Sequence, residues 1–373
     1  MGKAMRILHV LGGLDRGGAE VMVMNLYRHI DRTRIQFDFV IHTPNRGYYE
    51  EEIEALGGIV YRVPRFTGFN ILTYIKAWKT FFQGNRAFSA VHGHIGSSAA
   101  IYLAIAKGFR LFTIAHSHGA GNTPDFKGLM YSFFSFPTRF IADYFFACSR
   151  AAGLSRFGKN IVDSHRFTIV KNAIVIEEFG FSQEIRTAFR AQLHLGDKFV
   201  LGHVGRFDPL KNHTFLLEVF KLVHESCPDS ILLLVGDGEE RSHIERAIDI
   251  LGLTDSVILL GSRSDVSSIL QAMDVFVFPS IAEGLGISLI EAQATGLPCV
   301  VSRNVPSEAK ITNLVDFLSL RDNKTKWATA VLEKRITVHR ESHHNELIEY
   351  GYDIHKMVSQ LEKFYMHKGK SYE

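Results

Sequence analysis

Residues 275–302 read VFVFPSIAEGLGISLIEAQATGLPCVVS: a short apolar run, a glycine-rich break, a helical pattern, and a second short apolar run. Runs of this length suit buried strands, and a helix-length segment between two of them is the crossover unit of a parallel sheet. Purely structural needs explain part of the stretch. Ser288 and Glu291 fit the S-x-x-E capping box, and Gly296 with Pro298 fits a helix stop. Glu283 and the triplet Gly284, Leu285 and Gly286 remain unaccounted for. Backbone amides of that triplet, at the start of a helix, would attract an anion. Beside an anion, Glu283 and Glu291 make sense as acceptors for the hydroxyls of a sugar and a ribose. Such charge-assisted bonds contribute roughly 1.5–3 kcal/mol each.

The same alternation runs along the chain. RILHVL, FDFVIH, IVYRV, AVHGH, LFTIAHS, DYFFACS and RFTIVKN form a first series of candidate strands, and FVLGHVGR, SILLLVGDG, SVILLGS, VFVFPS and PCVVS a second. The expected fold is α/β, with two doubly wound parallel-sheet domains: residues 1–180, residues 181–355, and a terminal amphipathic helix over 356–373 that could pack back on the first domain. At 373 residues the chain is long for one core. Doubly wound sheets bind ligands at the carboxyl ends of their strands, which is where the remaining motifs fall.

GGLDRGGAE follows the first strand and offers Gly17 and Gly18 to a phosphate. A dinucleotide site would also want an acidic residue closing the second strand, but FDFVIHTP ends in His42 and Thr43. GHVGRFDPLKNH supplies Arg206 and Lys211, a fork and a point charge suited to a diphosphate, although solvated loop charges would explain the pair taken alone. LLLVGDGEE breaks another strand end at Gly236 and Gly238, permitting close approach of a ligand.

Composition narrows the class. The 46% apolar and 22% charged content is that of a folded soluble protein. Three scattered cysteines argue against a disulfide framework or zinc site and for a reducing compartment. The start, MGKAMRILHVLGGL, reads as a strand rather than a leader peptide, and no apolar stretch is long enough to span a bilayer. The net charge of +3 is unevenly placed, because no acidic residue lies between Glu54 and Asp125. Basic residues there interleave with aromatics in NILTYIKAWKTFF, and FKGLMYSFFSFPTRFIADYFF follows. This combination fits either an anionic lipid surface or a core with solvated bases. Nucleic-acid binding is disfavoured by the same interleaving.

VGRFDPLKNH together with PSIAEGLGISLIEAQATGLPCVVS, with its E-x7-E element at Glu283 and Glu291, resembles the retaining family 4 glycosyltransferases of GT-B fold. RILHV, GGAE, EEIEALGG, IAHSHG, FFACSRAAG and EAKITNLVDFLSL extend the resemblance along nearly the whole chain, toward the capsule and exopolysaccharide branch. The resemblance implies two Rossmann-like domains facing a central cleft, a UDP-linked donor as substrate with no cofactor, and a polyprenyl-linked saccharide or glycan acceptor held by the first domain. It further implies that Arg206 and Lys211 neutralise the diphosphate, that Glu291 binds ribose, and that Glu283 contacts the donor sugar. Gly284, Leu285 and Gly286 would offer amides, and Gly17 and Gly18 would close the phosphate site. His118, rather than His116 or His94, best matches the family's donor-sugar histidine.

The implied place of action is the cytoplasmic face of the cell membrane, by peripheral contact. No D-x-D element is available to hold a metal, so the resemblance implies metal-independent transfer with retention. Ala173 in KNAIVIEEF stands where relatives carry glycine, which puts the hinge turn in doubt. Two other readings are open: a GT-B sugar epimerase, disfavoured by the acid-free run over residues 55–124, and a non-catalytic sugar-nucleotide binding module.

Overall fold

Short runs of Val, Leu, Ile and Phe become strands buried on both faces, as a sheet covered by helices on each side requires. The computed structural model describes residues 4–119, 126–335 and 340–369. Residues 1–3 of the opening segment, Asp125 at the edge of the acid-free run, and residues 370–373 of the terminal segment lie outside them. The chain divides into two compact units, residues 1–173 with 353–373, and residues 174–352.

The first unit contains β1 (Met5–Leu11), β2 (Ile35–Ile41), β3 (Val60–Arg62), β4 (Phe88–Gly93), β5 (Phe112–Ser117), β6 (Tyr144–Ala147) and β7 (Phe167–Ile169). They form one parallel sheet in the order β3-β2-β1-β4-β5-β6-β7. One face packs on Tyr74, Trp78, Phe82 and Tyr102. These rings come in part from NILTYIKAWKTFF, so Tyr74, Trp78 and Phe82 of that segment are core, as the plainer of its two readings had it. The terminal helix, Ile354–Gly369, belongs to this unit: the Phe364 ring lies 4.7 Å from that of Tyr144 and 4.9 Å from that of Phe146.

The second unit contains β8 (Phe199–Val204), β9 (Ser230–Val235), β10 (Val257–Gly261), β11 (Val275–Phe278), β12 (Cys299–Ser302) and β13 (Val315–Leu318), parallel in the order β10-β9-β8-β11-β12-β13. Leu232 and Leu234 join one core cluster while Leu233 and Val235 join another, the period of two expected of a strand covered on both faces. β13 is a strand that the sequence reading did not assign. It is a four-residue edge strand whose Asp316 interrupts the apolar run. The helix Gln183–Gln192 carries a basic face that is used internally: Arg186 and Arg190 both reach Asp274, at 2.5 and 3.3 Å.

The chain crosses between units at residues 173/174 and 352/353, some seven positions before the expected boundary at 180 in the first case. The Ile174 amide donates to the Tyr352 carbonyl at 2.9 Å, tying the two crossing points together. Ala173 is buried there with an unexceptional backbone, so the missing glycine imposes no strain.

Candidate active site

Strand order reverses between β8 and β11 in the second unit, and the loops leaving those two strands lie side by side at their carboxyl ends. After β8 the chain turns through a single 3-10 turn, Pro209–Lys211, capped by the Asp208 side chain, which accepts from the Leu210 amide at 2.8 Å. Asn212 then adopts a left-handed conformation, φ +58°, and its side chain donates to the Pro279 carbonyl at 3.2 Å. The Ile281 amide donates to the Leu210 carbonyl at 2.7 Å. These bonds staple the two loops together, and they bring Lys211 Nζ to 2.5 Å from Glu283 Oε1 with both side chains largely buried. The Lys211 ammonium also lies 5.1 Å from the centre of the Phe278 ring. Arg206 is exposed on the same loop, and its guanidinium has no ion-pair partner among the described residues.

Leu285 anchors the glycine-rich break in the core, 2% exposed. Gly286 takes φ +84° against the Phe278 ring, where a β-carbon would fall 2.9 Å from a ring atom. None of the amides of Gly284, Leu285 and Gly286 has an intramolecular acceptor among the described residues. The helix after them is Ile287–Ala294 with Gly286 as its N-cap, so Ser288 lies inside the first turn. The capping-box reading of Ser288 and Glu291 is therefore wrong: a box needs serine at the cap position, and here glycine occupies it. Glu291 is left without a structural employment. Its carboxylate has no hydrogen-bond donor or cation among the described residues, and burial pushes its pKa up to about 7.

Gly236, at the end of β9, sits at φ +145° with its amide donating to the Gly261 carbonyl at 2.9 Å. A β-carbon there would lie 1.9 Å from the Gly205 carbonyl oxygen, so this glycine permits the β8 and β9 loops to approach each other. Gly236→Ala is expected to lower stability by about 1–3 kcal/mol or more, read as a reduced midpoint in urea unfolding. An unchanged midpoint would show that the approach is not needed.

In the first unit the reversal lies between β1 and β4. Gly17 is the N-cap of the helix Gly18–His29, and its amide donates to the Asp15 carbonyl at 2.9 Å. A β-carbon on Gly18 would meet nothing within 4 Å. The carboxyl ends of β1, β4 and β5 converge on five histidines, His9, His92, His94, His116 and His118. Sequence reading had named the last three and missed His9 and His92, whose positions in the adjacent strands RILHVL and AVHGH are the only signal.

His118 lies just past β5, with Nε2 2.7 Å from His94 Nδ1, and His94 Nε2 is 3.0 Å from His9 Nδ1. Burial pushes His118 down to about 4, so the ring is neutral near pH 7. His116 is inside the strand, Nδ1 3.1 Å from His92 Nε2. Two trios, His9, His92 and His94, and His94, His116 and His118, have nitrogens within 4.8 Å of one another, a donor set suited to zinc. His94 belongs to both and spends both nitrogens on neighbouring rings, so a metal would have to break that network.

The two stretches matched by known families partition the chain as its two units do: Glycosyltransferase Family 4 over residues 16–178 and Glycosyl transferases group 1 over residues 184–352. EpsF of Bacillus subtilis (strain 168) is 33% identical over 368 residues, covering 96% of each chain. The chain belongs to glycosyltransferase family 4. This glycosyltransferase is also 31% identical over 216 residues, 55% of each chain, to the UDP-Gal:alpha-D-GlcNAc-diphosphoundecaprenol alpha-1,3-galactosyltransferase of Escherichia coli. Among solved structures, Anabaena Alr3699/HepE in complex with UDP and glucose matches it with a TM-score of 0.80 at 18% identity, covering 96% of this chain and 99% of that one. The fold of the glycosyltransferase is thus GT-B, built from two Rossmann-like units.

Proposed function

We propose that the enzyme transfers a hexosyl or N-acetylhexosaminyl unit from a UDP-sugar, with retention, to a lipid-linked or polysaccharide acceptor in capsule, exopolysaccharide or O-antigen synthesis. One observation carries the reading. At the switch point of the second unit, two cations and three amides unengaged among the described residues share adjoining loops, and a carboxylate without a partner among those residues stands on the helix that follows, matching a nucleoside diphosphate joined to a sugar. Arg206 and Lys211 neutralise the diphosphate as it departs, the amides of Gly284, Leu285 and Gly286 bind phosphate or sugar oxygens, Glu291 accepts from ribose, and Glu283 faces the donor sugar. Gly236 permits its close approach, and Gly17, Gly18 and His118 keep the donor roles that the family resemblance gives them. The complex of Alr3699/HepE with UDP and glucose and the diphosphoundecaprenol-linked substrate in the Escherichia coli relative's name support the choice of donor and acceptor class.

UDP release from a panel of UDP-hexoses and UDP-N-acetylhexosamines, with a polyprenyl-diphosphate saccharide as acceptor, tests the reading. Acceptor-dependent release with at least one donor is the expected result, and none with any donor would sink it. The cation pair and amides do the work given to a metal elsewhere, so the rate should survive EDTA, and complete loss would overturn metal independence.

Membrane contact is part of the same reading. Leu129, Phe133, Phe136 and Phe140 are 67%, 70%, 50% and 76% exposed, an apolar stripe in sequence with Leu129 and Phe133 on the helix Phe126–Ser135, Phe136 in the turn after it and Phe140 on the helix Thr138–Ile141. No helix among the described residues is long and apolar enough to cross a membrane. Contact is therefore proposed as peripheral, at the cytoplasmic face. Cosedimentation with anionic vesicles should weaken as salt rises and fall at least about tenfold for Phe133→Ser with Phe140→Ser. Equal binding by the double variant would remove the stripe from the proposal.

A further inference from the structure

A cavity of about 520 Å³ opens in the first unit at the end of β5, lined by His94, His116 and His118 on one side and Tyr131, Arg139 and Arg156 on another. Its two arginines are unusual in this chain. Arg139 donates to the Arg156 carbonyl at 3.2 and 3.3 Å and lies over the Phe136 ring, and Arg156 lies over the Tyr131 ring and donates to its hydroxyl. Neither has a carboxylate partner among the described residues. Arg340, also without one, saturates its guanidinium on the carbonyls of Leu270, Gln271, Met273 and Thr295. Among the described residues Arg156 has the Tyr131 hydroxyl alone, and burial pulls its pKa below the ordinary arginine value. Two adjacent uncompensated cations in a recess call for an anion.

The histidines point to the same ligand. The Tyr365 hydroxyl, fully buried, has one partner among the described residues, His92 Nδ1 at 2.6 Å. Burial raises the phenol further above its ordinary value, so it keeps its proton and donates. His92 must then carry its proton on Nε2 and donate to His116 Nδ1, which places the His116 proton on Nε2. His116 is 4% exposed, and that nitrogen has no partner among the described residues. A buried N–H without an acceptor is costly.

We infer that this cavity binds the diphosphate of the lipid-linked acceptor, with Arg139, Arg156 and the His116 Nε2–H as donors and Tyr365 holding His116 in its donating tautomer. The inference rests on the acceptor class proposed above. It assigns the headgroup a place from which the chain can leave over an apolar surface, because Phe136 both lines the cavity and begins the exposed stripe continued by Phe133 and Phe140. Tyr365 touches no ligand and acts as a positioning residue.

The test is calorimetric binding of farnesyl diphosphate, farnesol and inorganic pyrophosphate to the full chain with the nucleotide site saturated by UDP. Farnesyl diphosphate should bind and farnesol should not. Arg139→Gln should weaken binding by about 10- to 100-fold, and Tyr365→Phe by about tenfold, with the histidine nitrogen NMR signals showing a changed tautomer at His116. Equal affinity of wild type and Arg139→Gln would overturn the site, and an unchanged His116 signal in Tyr365→Phe would overturn the relay. Pyrophosphate binding as tightly as farnesyl diphosphate, or phospholipid vesicles displacing it, would reassign the cavity to a free anion or a membrane headgroup. Failure of the wild type to release UDP from any donor would count against the proposed function and leave these binding results standing.

Discussion

Lys211→Ala should lower kcat by about 10²- to 10³-fold, the usual loss when one preorganised electrostatic contact to a departing group is removed. Affinity for intact UDP-sugar should change far less. The reason lies in when the charge is needed. The Lys211 ammonium is already balanced by Glu283 at 2.5 Å, and under the proposed function its contact with the diphosphate strengthens only as the glycosidic bond breaks and negative charge builds on the leaving oxygen. Arg206 is exposed on the same loop, and the proposed function gives it the resting attraction for the donor. Arg206→Ala is accordingly expected to raise donor KM more than it lowers kcat. Single-turnover kinetics at saturating acceptor separate the two effects. A Lys211→Ala enzyme within threefold of wild-type turnover would remove Lys211 from the reaction.

The Lys211 and Glu283 pairing also shows what a linear sequence conveys and what it does not. The alternation of short apolar runs with helical segments was legible because β8, β9, β11 and β12 are buried on both faces and so are almost uninterrupted in sequence. β13 escaped because an edge strand carrying Asp316 lacks that continuity. The positions of Arg206, Lys211, Glu283 and the glycine triplet at strand ends were likewise legible, since glycine and charge directly after an apolar run have few other uses. Pairings between loops 72 residues apart depend on sheet order and were invisible, as was the histidine network. Its rings come from three strands separated by intervening helices, and each histidine alone resembles an ordinary core residue. The capping box failed for a local reason. Gly286, free to take φ +84°, ends the loop two residues before Ser288, so the helix begins earlier than the S-x-x-E pattern suggests.

That shift makes Glu291 the most testable carboxylate in the molecule. Burial, with no partner among the described residues, pushes it up to about 7, above the value of 4.5 it would have in the unfolded chain. Between those values the folded protein holds more protons than the unfolded one. The associated stability is fully present below pH 4.5 and lost as pH rises through 7. Glu291→Gln should therefore unfold at a higher temperature than wild type at pH 8, with the advantage gone at pH 4. Donor binding makes the opposite demand, because ribose hydroxyls donate best to an ionised carboxylate. UDP affinity of the wild type should rise by up to about tenfold per pH unit below 7 and level off above it, and binding at pH 6.5 should release a proton. Glu291→Gln should bind UDP about 10- to 100-fold more weakly at pH 8 and lose the pH dependence. Calorimetry in buffers of different ionisation enthalpy measures the proton directly. If wild type and variant released the same number, Glu291 would not be the group that meets the ribose. If the proton came off in wild type alone, the same unpaired carboxylate that weakens the fold above pH 7 would be the one that recognises the nucleotide.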